Sequence, residues 1–333
     1  MRFVVFGAGA IGGVVGACLH QSGHDVALIA RGEHGRAIRE RGLTFERSGV
    51  AAVTLRIPVA ASPAELEWSG DEIVLLATKS QDTTGALTDL RGAAPITTPV
   101  VCVQNAVENE RVALRLFTRV YGAVVMAPTG HLEPGIVQAY GTRGVGVIDV
   151  GGYPSGVDEV CEHVASSLEV SGFSSRPRPD IMRFKHAKLL ANLGNAVDAI
   201  CEPGDAASEV TALAQEEGRA VLDAAGIQFV ADEVNDVQAR WARLDVQPIE
   251  GRPRAGSSTR QSIVRGTPVE TDYLNGEIGL IGRLHGVLTP VNDALCELSD
   301  RHVRERRAPG TVPAEEVLAR ARAGNYAHGP IRR

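Results

Sequence analysis

The sequence predicts an α/β protein: a doubly wound, largely parallel sheet with helices on its faces, followed by a helical domain. Three observations carry this. Short apolar runs of strand length alternate with helical stretches through the first half, as βαβ units require. A GxGxxG loop, Gly7-Ala8-Gly9-Ala10-Ile11-Gly12, follows the first of these runs directly. Beyond Arg176-Pro177-Arg178-Pro179 the pattern becomes almost wholly helical. That Arg-Pro stretch sets the expected division: a sheet domain over 1–178, a helical domain over 179–305 and an Arg-, Ala- and Gly-rich tail over 306–333.

Taken in order, Phe3 to Phe6 is a buried parallel strand ending at Gly7, and Gly12 to Gln21 is a helix of small residues. Asp25 to Ala30, Glu72 to Thr78 and Pro99 to Gln104 are further strands, each an uninterrupted apolar run of the kind buried on both faces. From Tyr121 to Val150 short strands with Gly punctuation predict hairpins on the sheet edge. Helices follow near 181–201, 205–225, 230–243, 256–264, 268–284 and 290–305. The tail predicts one short helix over Pro313 to Ala323 and disordered last residues. Glycines at 276, 279 and 282 predict close helix packing, within one chain or between two, so a homodimer is the candidate assembly.

Composition removes several function classes. The net charge is −6, which gives no electrostatic footprint for nucleic acid. No apolar run reaches membrane-spanning length, and the N-terminus enters a strand pattern with none of the parts of a signal peptide. The five cysteines (18, 102, 161, 201 and 296) are odd in number, far apart and set in apolar runs. They read as reduced, buried thiols of a cytoplasmic protein, with no disulfide framework and no metal site. The basic residues are the oddity: of 34 Lys plus Arg only Lys79, Lys185 and Lys188 are lysines. An amine can shift its pKa and pass on a proton, which a guanidinium does not.

The loop at 7–12 sits where a dinucleotide pyrophosphate is bound. Gly7 permits the tight turn, Gly9 lets backbone approach the phosphates and Gly12 lets the helix pack on the strand, while the helix N-terminus offers free N–H groups. The next strand ends at Ala30-Arg31. An NAD site would want an acid there; a guanidinium clamps a 2′-phosphate, so NADP(H) is favoured, with Glu33 close enough to compete. Lys79 and Asn105 each follow a buried strand, at the carboxyl ends where open α/β sheets bind ligands. Lys79 suits phosphate or ribose, and Asn105 suits ribose or nicotinamide.

In the helical half, Lys185, Lys188, Asn192 and Asn195 fall at steps of three, four and three on an otherwise apolar segment, placing them on one helix face. Either this is a solvent face or its amines and amides bond a ligand in a cleft. Thr267-Pro268-Val269-Glu270 has the form of a capping box; the same carboxylate at a helix start can instead face a substrate. Ser257, Ser258 and Thr259 precede another helix start. Their hydroxyls either cap it or hold a substrate carboxylate.

GAGAIG at 7–12, TKS at 78–80, VQN at 103–105, KLLAN at 188–192, SSTRQS at 257–262 and PVETDYLNG at 268–276 together resemble the ketopantoate (2-dehydropantoate) reductases over about residues 1–300. The resemblance implies a Rossmann-type N-terminal domain, a helical 6-phosphogluconate-dehydrogenase-like C-terminal domain, an active site between them and NADPH reduction of a 2-oxo acid to a 2-hydroxy acid in pantothenate biosynthesis. By position it implies that Lys188 donates the proton and Glu270 completes the catalytic polar site. It further implies that Asn192, Asn195 and Ser258 bind substrate and that Lys79 and Asn105 contact NADP. This chain departs from the family in Lys188-x3-Asn192-x2-Asn195, where the second spacing is usually x3. It also has Ala106 after Asn105, and Ser262 after Gln261. A paralogue reducing another branched 2-oxo acid, and a non-catalytic NADP-binding redox sensor, are the alternatives. Lys185, one turn from Lys188, either tunes the site by like charge or lies at the surface.

Overall fold

The computed structural model describes residues 1–231, 235–252 and 256–327. The chain divides into two compact units, Met1–Lys185 with Val230–Arg254, and His186–Phe229 with Ala255–Arg333.

The first unit opens with β1 (Arg2–Phe6), α1 (Ala10–Gln21), β2 (Val26–Ile29) and α2 (Gly32–Arg41). The hairpin β3 (Leu43–Arg47) and β4 (Val50–Leu55) leads to β5 (Val59–Ala60), β6 (Glu72–Leu76), α3 (Thr83–Arg91), β7 (Val100–Cys102) and α4 (Asn109–Leu114). Then come β8 (Val120–Met126), β9 (Thr129–Gly130), β10 (Ile136–Ala139), β11 (Gly146–Gly152), α5 (Glu159–Val170) and β12 (Phe173–Ser174). Among the described residues the main sheet runs β12-β11-β8-β7-β6-β1-β2-β5, parallel throughout except for β11 against β8. Its strand order reverses between β1 and β6, the switch point beyond which such sheets bind ligands.

Strand alternation explains the continuous apolar runs. Phe3 and Val5 pack with Leu28, Leu75 and Val101 on one face, while Val4 and Phe6 pack with Val74, Leu76 and Cys102 on the other. Both faces are covered, so both sets of alternating residues must be apolar. The hairpins expected at the edge are distributed differently. The strand β8 joins the main sheet, β11 returns to it antiparallel, and β9 and β10 enter a second sheet of order β4-β3-β10-β9. Strand periodicity does not say which sheet a strand joins, so this second layer was not legible.

The second unit is helical. After the second half of α6 (Ile181–Asn192) come α7 (Gly194–Ile200), α8 (Asp205–Ala224), α10 (Ser258–Val264), α11 (Thr271–His285), α12 (Pro290–Arg304) and α13 (Ala314–Ala327). The helix α9 (Asp236–Trp241) belongs to the first unit. The three glycines of α11 serve packing inside the chain: a Cβ would meet Cys296 Sγ at 3.6 Å from Gly276, Asp293 Oδ1 at 2.8 Å from Gly279 and Val287 O at 2.7 Å from Gly282. Here α12 is capped from outside: Glu217 of α8 accepts from the backbone N–H groups of Val291 (2.9 Å) and Asn292 (3.0 Å).

Three expectations need correction. The division falls between Lys185 and His186 rather than at 178/179, because the first turns of α6 are bonded into the sheet unit. Residues 230–254, expected with the helices, return to the first unit. The tail is no separate segment: α13 packs on α12, with Arg301 2.5 Å from Glu316, and Val312 N donates to Ile200 O at 2.8 Å. The expected helix at 230–243 is described only as Asp236–Trp241, 232–234 lying outside the described residues, as do the last residues 328–333. No helix among the described residues is long and apolar enough to cross a membrane. Burial raises the thiols of Cys18 and Cys296 to about 12 and those of Cys161 and Cys201 to about 11, as small core residues require.

What returns residues 230–254 is a buried charge. Asp149 of β11, fully buried, accepts from Arg178 Nε at 2.9 Å, Arg240 Nη1 at 2.9 Å and the backbone N–H of Arg176 at 3.0 Å. Replacing it by Ala would leave the guanidiniums of Arg178 and Arg240 with Asp236 as their one remaining carboxylate among the described residues, 2.6 Å from Arg178 Nη2 and 3.5 Å from Arg240 Nε. Asp149→Ala is expected to lower stability by roughly 3–5 kcal/mol, read from urea denaturation. A loss under about 1 kcal/mol would remove Asp149 as the tie.

Candidate active site

In the first unit the glycine loop leaves β1 with Gly7 at φ +102°, a left-handed conformation in which a Cβ would stand 2.8 Å from Ala77 C. A Cβ on Gly12 would lie 2.1 Å from Gly7 O, so any other residue would lift α1 off the strand. At Gly9 a Cβ would meet nothing within 4 Å; this is the open side from which a ligand can approach. The first turn of α1 carries no acid and no side-chain cap, which leaves its N–H groups for an anion. The loop therefore fits a dinucleotide pyrophosphate.

Sequence reasoning missed His34, which braces this loop. The backbone N–H of Gly135 donates to His34 Nδ1 at 2.9 Å, so the proton sits on Nε2 and is donated to Ala8 O at 2.7 Å. One neutral ring thus ties the loop between Gly7 and Gly9 to the turn before β10. Burial holds the His34 pKa below its usual value, and the bond to Ala8 opposes that. A His three residues past the expected 2′-phosphate position was the available signal.

Arg31 follows β2 as expected. It pairs with Asp89 of α3 and stacks its guanidinium 5.9 Å from the Phe6 ring centroid. Both partners of the pair are largely exposed, so the pair is weak and a phosphate can compete for the guanidinium. Lys79 lies just past β6 and Asn105 just past β7, both half-buried. Their strand ends are joined by a network. Gln104 Nε2 donates to Thr78 O and Thr83 Oγ1, each at 2.8 Å; Thr83 Oγ1 donates to Asn109 Oδ1 at 2.8 Å; and Asn109 Nδ2 donates to Asn105 O at 2.8 Å. The structure thus places the glycine loop, Arg31, Lys79 and Asn105 at the carboxyl ends of four adjoining strands.

Lys185 fits neither expectation. It is buried, with Nζ 2.6 Å from Glu110 Oε1, and it donates to Gln104 O at 2.9 Å and Ala123 O at 3.3 Å. Burial pushes the Glu110 carboxyl up, and the ammonium beside it opposes that. Lys185 therefore leaves the polar stripe and belongs to the sheet unit.

In the second unit Lys188 is half-buried on α6 and Asn192 is buried one turn further on. Asn192 Nδ2 has no hydrogen-bond partner among the described residues. The expected single helix over 181–201 is broken after Asn192. Leu193 N bonds back to Leu190 O at 3.3 Å, a tighter turn; Leu193 O accepts from Asn275 Nδ2 at 3.1 Å, and at Gly194 a Cβ would press on Thr211 Cγ2 of α8 at 2.9 Å. Asn195 is therefore the second residue of α7, with its carbonyl 3.4 Å from Ser257 Oγ.

The two helix starts also resolve. Ser257 is a cap: its hydroxyl accepts from Arg260 N at 3.2 Å, and its own N–H donates to Asp198 Oδ2 at 2.9 Å. Ser258 is exposed in the first turn of α10. The capping box at 267–270 does not form. The helix α11 begins at Thr271, and Glu270 occupies the cap position without a side-chain cap bond. Its side chain is half-buried.

Comparison with known proteins finds two adjoining family matches. A family model described as "Ketopantoate reductase PanE/ApbA" matches residues 3–153, and "Ketopantoate reductase PanE/ApbA C terminal" matches 180–302. A 2-dehydropantoate 2-reductase of Pyrococcus horikoshii is 30% identical over 306 residues, covering 90% of this chain and 96% of that one. A crystal structure of a PanE/ApbA family ketopantoate reductase from Ralstonia eutropha JMP134 is 30% identical, with TM-score 0.76 over 92% of this chain and 99% of that one. A D-mandelate dehydrogenase solved with NADH and anilino(oxo)acetate, 24% identical, shares the fold with TM-score 0.76 over 92% of this chain and 99% of that one.

The His34 geometry gives a pH dependence. Its folded pKa lies below the ordinary 6.5, so on acidification the unfolded chain takes up the proton first. Stability is fully present above about 6.5 and is lost as pH falls from there through the lower folded value. His163 and His302 shift in the same direction. The acid-side fall in Tm should therefore be smaller, though not abolished, in His34→Gln, whose amide can still donate to Ala8 O. An equal fall in variant and parent would clear His34 of the effect.

Proposed function

The chain belongs to the ketopantoate reductase family and is an oxidoreductase; from that premise we propose that it reduces a 2-oxo acid to a 2-hydroxy acid with NADPH, 2-dehydropantoate being the first-choice substrate. Bound NADPH supplies the hydride that reaches the carbonyl carbon. The remaining chemistry belongs to the chain's own residues.

As hydride arrives, negative charge develops on the carbonyl oxygen, and a positioned acid must neutralise it. Lys188 takes that role: its ammonium supplies both charge and proton, where a guanidinium would hold its proton. The observation that carries this assignment is its neighbour. Asn192, one helical turn away, buries an amide donor with no hydrogen-bond partner among the described residues. A buried unpaired donor is costly, and a substrate oxygen at this face would satisfy it. Glu270 and Ser258 join the same polar set by family position, and Asn195 contributes to it less directly. The glycine loop holds the pyrophosphate, Arg31 the 2′-phosphate, and Lys79 and Asn105 the ribose and nicotinamide side.

A second reading, in which the substrate is another branched 2-oxo acid, is favoured by the interruption at Leu193, which puts Lys188 and Asn192 on α6 but Asn195 on α7. NADPH oxidation across a panel of 2-oxo acids separates the two. The highest kcat/KM is expected with 2-dehydropantoate. A clear preference for another acid would move the substrate, and turnover of none with tight NADPH binding would leave a redox sensor.

Two substitutions check the roles. Lys188→Ala is expected to lower kcat roughly 100-fold or more with NADPH affinity retained; near-normal turnover would end its assignment. Arg31→Ala should raise the KM for NADPH by about tenfold while leaving that for NADH nearly unchanged. Equal effects on the two cofactors would refute a 2′-phosphate contact.

A further inference from the structure

We propose that Lys185 and Glu110 form a positioning pair for the cofactor: buried beneath the turn after β7, they fix the backbone from which Asn105 reaches it. The inference rests on the assignment of Asn105 to the cofactor made above.

The turn needs holding. Ala106, directly after Asn105, has φ +66°, the left-handed region that disfavours any residue with a Cβ and persists only where the surroundings impose it. Its neighbours do impose it. Asn109 Nδ2 fixes Asn105 O at 2.8 Å, and Gln104 Nε2 fixes the end of β6. That leaves the carbonyl of Gln104, which points away from these partners and accepts from Lys185 Nζ at 2.9 Å. The ammonium is held there by Glu110, 2.6 Å away at the start of α4, and by Ala123 O of β8 at 3.3 Å. Both charged side chains are almost wholly buried. The space exists because Gly122 faces it: a Cβ there would come within 3.2 Å of Glu110 Oε1 and 3.4 Å of Lys185 Cδ. Two apolar side chains could fill this volume with no loss of stability. What they could not supply is a donor to Gln104 O.

That difference separates a positioning role from a packing role. The pair is removed as a unit in the double variant Lys185→Met with Glu110→Gln, which leaves neither charge alone in the core. Binding of NADPH and of NADH is read from reduced-nicotinamide fluorescence, and folding from near-UV circular dichroism and the urea midpoint. The double variant is expected to keep a cooperative transition, and its Kd should rise about tenfold for both cofactors alike, since the 2′-phosphate is not involved. Glu110→Asp keeps both charges but draws the ammonium away from Gln104. It should fold as the parent does and raise both Kd values about threefold, which decides the matter even if the double variant does not fold. Asn105→Ala is the reference. If Asn105→Ala weakens binding while Glu110→Asp and a folded double variant bind as the parent does, the pair is packing alone and the proposal is overturned, with the assignment of Asn105 intact. If Asn105→Ala itself binds as the parent does, that assignment fails and the positioning proposal falls with it.

Discussion

The first unit depends on how closely α1 lies against its surroundings. Built Cβ atoms on Gly12, Gly13 and Gly16 would meet Gly7 O at 2.1 Å, Val137 Cγ1 at 2.7 Å and Leu28 Cδ2 at 2.7 Å respectively. The helix therefore touches the main sheet on one side and the small second sheet on another, at distances only a helix bare of side chains allows. Moving it outward by a methyl group would disturb both layers. It would also tilt the N-terminal turn that faces the open side of Gly9. Packing and ligand geometry are thus set by the same residues, which is why the loop at 7–12 is informative well beyond its six positions.

The main sheet was legible because a strand buried on both faces writes a continuous apolar run, and Phe3 to Phe6 is one. The helices of the second unit were legible from apolar periodicity. The second sheet was not, since its strands are short and its outer strand β4 is mostly exposed. The break after Asn192 is equally hidden: the residue at which it falls, Leu193, is met by Asn275, more than eighty positions along the chain, which donates to its carbonyl. Local pattern rules see neighbours in sequence, and this bond is between neighbours in space. The same limit applied to Glu270, where Thr-Pro-Val-Glu has the right composition for a cap but the helix starts at Thr271, three residues past Pro268.

The scarce lysines do not share one setting. Lys185 and Lys188 are three positions apart on one helix, yet their environments differ. The ammonium of Lys185 is enclosed by a carboxylate and two carbonyls in the sheet unit, whereas Lys188 stands half-buried beyond the division of the chain. Helical spacing predicts which side chains share a face. It does not predict where a second element ends its contact with that face. A guanidinium can enter a buried ion pair, as Arg178 and Arg240 do at Asp149, so the scarcity of Lys does not by itself explain why an ammonium stands at 185.

The route of the chain through Asp149 bears on how the protein is made. The sheet unit is left after Lys185, re-entered at Val230 and left again after Arg254. During synthesis from the N-terminus, Asp149 and Arg178 emerge some sixty residues or more before Arg240, the second guanidinium that closes over the same carboxylate. Until that segment has emerged from the ribosome, β11 holds a buried acid with part of its partner set missing. The sheet unit therefore cannot complete itself as a nascent domain, although almost all its strands have already been translated. Its completion waits on the intervening helical stretch 186–229, which couples the folding schedules of two units that interrupt one another in sequence.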